Sequence, residues 1–150
     1  MKPLKHPRGF TLIELMVVIA VIGLLSSIIV VILTSARTDS RDTKRVADLK
    51  EVTTALQLYY DTYNTYPSAL SELVPTYIVI EPTDPVGQAP YYYDLLSGGA
   101  GYHLGANLED PQHRALSSDN DTVSDTINGS DASDCGGGSI SGRRCYDIGP

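Results

Sequence analysis

Apolar residues fill the chain from residue 10 to residue 33, and a weaker apolar periodicity continues beyond them. In these 24 residues Glu14 is the only charged side chain. A helix needs about 20 apolar residues to cross a bilayer, so the segment is long enough to be a membrane span. It is rich in Ile and Val, but a backbone in lipid must satisfy its own hydrogen bonds, which favours a helix over a strand.

After this segment the apolar positions step by three or four residues, as on one face of an amphipathic helix. Pro67 disfavours helical angles in the residue before it, so we predict that the helix ends there. The pattern predicts one helix of about 50 residues, about 80 Å long, with an anchor in its first half and a head spine in its second. The apolar positions of the spine are Val46, Leu49, Val52, Leu56, Tyr59, Tyr63 and Tyr66.

Charged residues occupy the other positions of the helix where it leaves the apolar segment. Between Arg37 and Glu51 there are five basic and four acidic side chains. Some of them are spaced as opposite-charge pairs one helical turn apart, such as Lys44 and Asp48. We predict a solvated helical face here; contact with lipid headgroups or with a neighbouring subunit is the alternative.

The second half of the chain has the pattern of a small antiparallel sheet. We predict a short helix at 68–74 and a connecting loop at 75–90, where Pro and Gly are frequent. The segments 91–95 and 102–106 read as two strands around a Gly-rich turn, which predicts a hairpin packed on the Tyr positions of the helix. Strand alternation then places His103 on the opposite, solvent-facing side.

Composition and charge limit the function classes. The 150 residues carry a net charge of −7, which falls to −10 without residues 1–9. An acidic head does not favour a nucleic-acid partner bound through its overall field. The sequence also shows no phosphate loop, no Ser/His/Asp order and no paired carboxylates beside a base, so it does not predict an enzyme.

Both cysteines, Cys135 and Cys145, lie near the C-terminus. Two cysteines suit one disulfide in an extracytoplasmic compartment, with free thiols as the alternative. A metal site on two cysteines without an adjacent His is the weaker interpretation.

The N-terminal segment resembles the signature of type IV pilins and type II secretion pseudopilins. Its features are three basic residues in the leader, then Gly9 and Phe10, and then Glu14 as the fifth residue after Gly9. The resemblance implies cleavage by a prepilin peptidase between Gly9 and Phe10, methylation of the Phe10 amine, and pairing of Glu14 with that amine on a neighbouring subunit. A simpler account of Glu14 is that the helix dipole tolerates its charge in the first turn, which explains no requirement for it.

Further resemblances to the major pseudopilin head follow the helix. Asp84-Pro-Val-Gly87 is similar to an element that precedes the first strand of these heads. The family also implies a Ca²⁺ site after that strand pair, here assigned to Leu104, Asp119 and Asp121. An insertion at 110–116 changes the spacing, and we favour an ordinary solvated acidic loop. Pilins often close a C-terminal loop with a disulfide, which here would join Cys135 to Cys145.

Together these features predict an α+β, type IV pilin-like fold: a long N-terminal helix, half membrane and half soluble, on a small antiparallel sheet with a disulfide-closed C-terminal loop. The predicted segments are a cleaved leader at 1–9, a membrane and filament-core helix at 10–33, the soluble half-helix at 34–66 and the head at 67–150.

The predicted function is that of a structural subunit in a homo-oligomeric pilus or secretion pseudopilus. Its partners would be the prepilin peptidase, an assembly platform and the cytoplasmic membrane, with the head outside before the subunit enters an extracellular or periplasmic filament. One alternative is a minor pilin whose exposed C-terminal loop binds DNA or a surface; Arg143 and Arg144 in this loop could contact DNA or an acidic neighbour. The other alternative is a membrane-anchored enzyme.

Overall fold

The computed structural model describes residues 9–129, 134–137 and 142–150. The chain divides after Arg37 into two compact units. The helix α1, Leu12–Tyr63, contributes to both of them. Its N-terminal part has an 18-residue window with a mean hydropathy of 3.1 and no burial, so by length and composition this helix could cross a membrane.

In the second unit, the C-terminal part of α1 provides one side of the hydrophobic core. Leu49, Val52 and Leu56 are fully buried, as the apolar periodicity predicts. Ala55 is also buried in this group. Tyr63 was predicted to lie on the same apolar face, and that prediction is wrong, because its side chain is 58% exposed. The remaining core residues come from the segments that follow: Tyr66, Leu70, Leu73, Ile78, Tyr91, Tyr102, Leu104, Ala106, Leu108 and Tyr146.

The helix ends at Tyr63, three residues before the predicted end. Asn64 adopts a positive φ of 54°, and its backbone N–H donates to the Tyr60 carbonyl at 2.7 Å. This left-handed residue is a common helix terminator, so Asn64 ends α1 before Pro67 can. Tyr66 still enters the core, because its ring lies 4.7 Å from Tyr60 and 4.8 Å from Tyr102. The predicted short helix at 68–74 is a 3₁₀ turn at Leu70–Leu73.

The sheet has three antiparallel strands in the order β1-β2-β3. The predicted hairpin is present as β1, Tyr92–Leu96, and β2, Gly101–Leu108, each displaced slightly from its predicted bounds. The third strand, β3, Arg144–Ile148, pairs with β2 and was not predicted, since we had assigned this segment to the C-terminal loop. The architecture is the predicted one: a long helix, a small antiparallel sheet and a C-terminal disulfide.

Candidate functional site

The N-terminal motif lies exposed at the start of α1. Gly9 and Phe10 precede the helix, and the Phe10 side chain is 87% exposed. A Cβ atom at Gly9 would meet nothing within 4 Å, so packing among the described residues does not require glycine there. Both residues are therefore accessible to another protein.

Glu14 forms a capping box with Thr11, an arrangement that the sequence analysis missed. The Glu14 carboxylate accepts hydrogen bonds from the Thr11 backbone N–H at 2.9 Å and from the Thr11 hydroxyl at 2.8 Å. In return, the Thr11 hydroxyl accepts the Glu14 N–H at 3.3 Å. The pattern Thr-x-x-Glu before an apolar run is the sequence signal for this motif. Glu14 thus has a local role at the helix start, besides any role between subunits.

The helix surface that follows Glu14 is apolar and open. Most of its large side chains are about half to three-quarters exposed, for example Leu12 at 75% and Leu24 at 67%. A continuous apolar surface of this size on a soluble protein marks a membrane or protein contact. The exposed side chains are Leu12, Ile13, Leu15, Met16, Val17, Val18, Ile19, Val21, Ile22, Leu24, Leu25, Ile29, Val30, Ile32 and Leu33.

The prediction of a solvated face on α1 is wrong for Arg45. This residue lies at the centre of a buried charge cluster. Its side chain is fully buried. Its Nη1 donates to Asp42 Oδ1 at 2.6 Å and to Glu109 Oε1 at 2.8 Å. Its Nε and Nη2 donate to the two Asp84 carboxylate oxygens at 2.7 and 2.9 Å. One guanidinium therefore joins the helix to the connecting loop and to the end of β2.

The charges of this cluster shift one another's pKa. Hydrogen bonds from Arg41 and then Arg45 lower the pKa of Glu109 to about 2. Burial opposes ionisation of Asp84, but the hydrogen bonds from Arg45 and from the Val86 N–H, together with the positive charges of Arg45 and Arg143, outweigh it and lower the pKa of Asp84. Burial likewise disfavours the charged form of Arg45, and its three carboxylate partners outweigh that effect and raise its pKa. All these groups are charged at neutral pH.

The turn at Asp84 holds the acid in place for Arg45. The Asp84 Oδ1 atom accepts the Val86 N–H at 2.7 Å, and Gly87 adopts a φ of +85°, which favours glycine. The similarity of this segment to the pseudopilin element therefore has a structural counterpart: a turn that presents a carboxylate to the helix.

His103 is buried, which corrects the prediction that it faces solvent. It does lie on the sheet face opposite the Tyr positions of the helix, but it is only 1% exposed. Its Nε2 lies 2.7 Å from Asp147 Oδ2, and its Nδ1 lies 2.8 Å from Ser124 Oγ. The Ser124 hydroxyl also binds the Asp94 carboxylate. The segment around Ser124 covers this face, and the Ser, His and Asp side chains attach that segment to the sheet through hydrogen bonds.

Two of the three predicted metal-site residues lie close together. Carboxylate oxygens of Asp119, Asp121 and Asp147 lie within 4.8 Å of one another. Three carboxylates are a donor set suited to a hard cation such as Ca²⁺. The side chain of Leu104 is fully buried in the core, and its strand position pairs with Ile148, the residue after Asp147. Sequence reasoning missed Asp147, because only the unpredicted β3 brings it to the other two.

Cys135 and Cys145 form the disulfide, with Cα atoms 4.8 Å apart. Both are fully buried and pack with Ile127 in a second small core cluster. The free-thiol alternative is therefore wrong. Cys145 lies in β3 opposite Asn107, so the disulfide attaches the preceding loop to the sheet.

The two arginines of the DNA-binding alternative do not project freely. Arg143 and Arg144 are both only partly exposed, and Arg144 lies within β3. Arg143 is near enough to Asp84 to lower its pKa. These two residues are therefore less exposed than the DNA-binding alternative assumes.

Comparison with known proteins agrees with this geometry. A family profile described as "Prokaryotic N-terminal methylation motif" matches residues 4–30. The type II secretion system core protein G of Escherichia coli is 33% identical over 130 residues, which cover 70% of this chain and 90% of that protein. That of Pectobacterium carotovorum is 41% identical over 61 residues, 41% of this chain and 39% of that protein.

A pilus protein is also similar. The type IV wide pilus major component of Thermus thermophilus is 34% identical over 71 residues, which cover 47% of this chain and 54% of that protein. The chain thus spans about half or less of the length of the Pectobacterium and Thermus relatives and most of the length of the Escherichia coli relative. No solved structure gave a significant match. The methylation motif and the exposed apolar helix are consistent with membrane anchoring, and the chain belongs to the prepilin-type family that includes the type II secretion core protein G and type IV pilins.

Proposed function

We propose that the protein is a structural subunit of a pseudopilus or pilus filament, assembled through α1. The observation that carries this proposal is the exposed apolar surface of α1 directly after the Gly9–Phe10 junction. Outside the membrane, burial of that surface against identical helices removes it from water, which is favourable by about 25 cal/mol per Å². Contacts repeated head to tail produce an open filament.

In this proposal other proteins modify the chain before it assembles. A prepilin peptidase cleaves between Gly9 and Phe10 and methylates the Phe10 amine, and an assembly platform then extracts the subunit from the cytoplasmic membrane, with its head outside. The chain itself performs no catalysis. Relatives named for secretion and for a pilus both occur, so either filament type fits.

Glu14 is proposed to select the register by pairing with the Phe10 amine of a neighbouring subunit. In the isolated chain its carboxylate is bound to Thr11. A capping role and a charge-pairing role therefore both depend on the same side chain, and a Glu14→Ala variant alone would remove both.

Three variants in the native host separate the two roles. Glu14→Gln keeps the capping box, which accepts Gln as well as Glu, but removes the charge. Thr11→Val removes the hydroxyl of the cap and keeps the charge. We expect Glu14→Gln and Glu14→Ala to be cleaved at Phe10 but to lose filaments, counted by electron microscopy of the sheared fraction, and Thr11→Val to keep them. Normal filaments in Glu14→Gln would contradict the charge-pairing role.

A further inference from the structure

A cavity of about 420 Å³ lies between α1 and the 3₁₀ turn Arg114–Ser117. We call it the basic cavity. Its apolar lining includes Val46 and Ala47, and its only Lys or Arg residues are Lys50 and Arg114, both exposed. Its volume exceeds the share of one water, about 30 Å³, more than tenfold, which leaves room for two branched side chains. The full lining is Thr43, Val46, Ala47, Lys50, His113, Arg114, Ala115, Ser118 and Tyr146.

An apolar projection with acidic neighbours lies elsewhere on the head. Val79 is 89% exposed and Ile80 is 77% exposed, the highest values for large apolar side chains in the described part of the head. Glu81 follows them directly, and Glu51 of α1 lines the same groove as Ile80 and Glu81. We call Val79, Ile80, Glu81 and Glu51 the acidic tip.

The charges of the two surfaces have no partner within the described residues. Arg41, Lys44 and Arg45 form ion pairs with acids of the head. In contrast, the side chains of Lys50 and Arg114 form none among the described residues, and the same holds for Glu51 and Glu81. Among the described residues, the charges without an ion-pair partner on these two surfaces are thus positive at the cavity and negative at the tip.

The two surfaces lie on different faces of α1. Thr43, Ala47 and Lys50 line the cavity, whereas Lys44, Asp48 and Glu51 line the groove beside the tip. At 3.6 residues per turn these two sets point about 100° apart around the helix axis. A surface and its complement on different faces of one chain join copies head to tail, which continues as a filament rather than closing as a dimer.

We propose that the acidic tip of one copy docks in the basic cavity of the next copy in the filament. Val79 and Ile80 enter the cavity against Val46 and Ala47, while the carboxylates of the tip meet Lys50 and Arg114. This inference rests on the proposed filament function and adds to it a contact between heads that is separate from the packing of the N-terminal helices.

Cysteine cross-linking of the full chain in the native host tests the contact. With Ala47→Cys and Ile80→Cys in one chain, mild oxidation of sheared filaments should give a covalent ladder longer than dimers on a non-reducing gel. Each single variant should give none. A matched control combines Ala47→Cys with Leu58→Cys, which is 49% exposed on α1 outside both surfaces, and should also give no ladder.

Charge reversal provides the second test. Lys50→Glu with Arg114→Glu should reduce filament yield about tenfold or more, because like charges placed across an interface repel. Adding Glu51→Lys and Glu81→Lys should restore most of the yield, which misfolding of the first variant would not allow. Filaments of the cysteine variant without a ladder, or no restoration by the second reversal, would overturn this contact and leave the filament function standing. Absence of filaments from the unchanged chain would instead overturn the proposed function.

Discussion

The buried guanidinium of Arg45 predicts a large and pH-dependent loss of stability in an Arg45→Met variant. Methionine keeps much of the apolar stem but removes the positive charge. Asp42, also fully buried, and the carboxylates of Asp84 and Glu109, 15% and 18% exposed, would then lose their shared partner. Removing one member of a buried ion pair costs about 3–5 kcal/mol, since the remaining charge stays buried without compensation.

For a head of this size, each kcal/mol of lost stability lowers the thermal unfolding midpoint by about 4 °C. We therefore expect the midpoint of Arg45→Met to fall by about 12–20 °C. All 10 tyrosines lie beyond residue 58 and Trp is absent. Near-UV circular dichroism of the full chain in detergent therefore reports on the head. Lys44→Met is the matched control: its side chain is 54% exposed and pairs with Asp48 one turn away, and such pairs contribute less than about 1 kcal/mol.

The Arg45→Met variant should also change how the stability of the head depends on pH. In the unchanged chain the folded-state pKa values of Glu109 and Asp84 are lowered, to about 2 for Glu109. Their stabilisation is therefore present above the unfolded pKa, about 4, and is lost as pH falls towards 2. Without Arg45 most of the Asp84 contribution is absent, and Glu109 keeps only the part that Arg41 supplies. The midpoint difference between the two chains should therefore shrink between pH 7 and pH 3. A cost no greater than that of Lys44→Met, or a difference unchanged at pH 3, would refute the reasoning.

Other predictions concern the sheet and its loops. Replacing Cys135 and Cys145 together by Ser should lower head stability by about 2–3 kcal/mol in urea unfolding, and an unchanged midpoint would show that the disulfide does not restrict the unfolded chain. Gly99→Ala should cost at least about 1–3 kcal/mol in the same assay, because Gly99 has a φ of +97° and a Cβ there would lie 2.1 Å from Thr65 Oγ1. Because Asp119, Asp121 and Asp147 bring three carboxylates together, CaCl₂ should raise the thermal midpoint relative to EDTA and Asp121→Asn should abolish the rise; equal midpoints in the unchanged chain would contradict the site.

Periodic and local signals predicted the long apolar helix, the core positions of α1 and the hairpin. The periodicity was enough to predict the burial of Leu49, Val52 and Leu56, because residues three or four apart share one face of a helix whatever segment packs against it. The capping box at Thr11 was equally visible in the sequence and was overlooked. Its signal depends only on residues one turn apart.

The buried polar groups could not be predicted in this way. Arg41 and Arg45 lie one turn apart and both bind Glu109, yet only Arg45 is fully buried and also binds Asp84. Both acids are distant in sequence from Arg45, by 39 residues for Asp84 and 64 for Glu109. The burial of His103 has the same origin: its partner Asp147 lies in β3, 44 residues on. Short sequence windows contain no information about such contacts.

The mass of the chain purified from the native membrane tests the central claim most directly. A processed filament subunit should have the mass of residues 10–150 with one methyl group on the Phe10 amine and with Cys135 and Cys145 oxidised. A chain that still begins at Met1, or one cut beyond Leu33, would contradict the account.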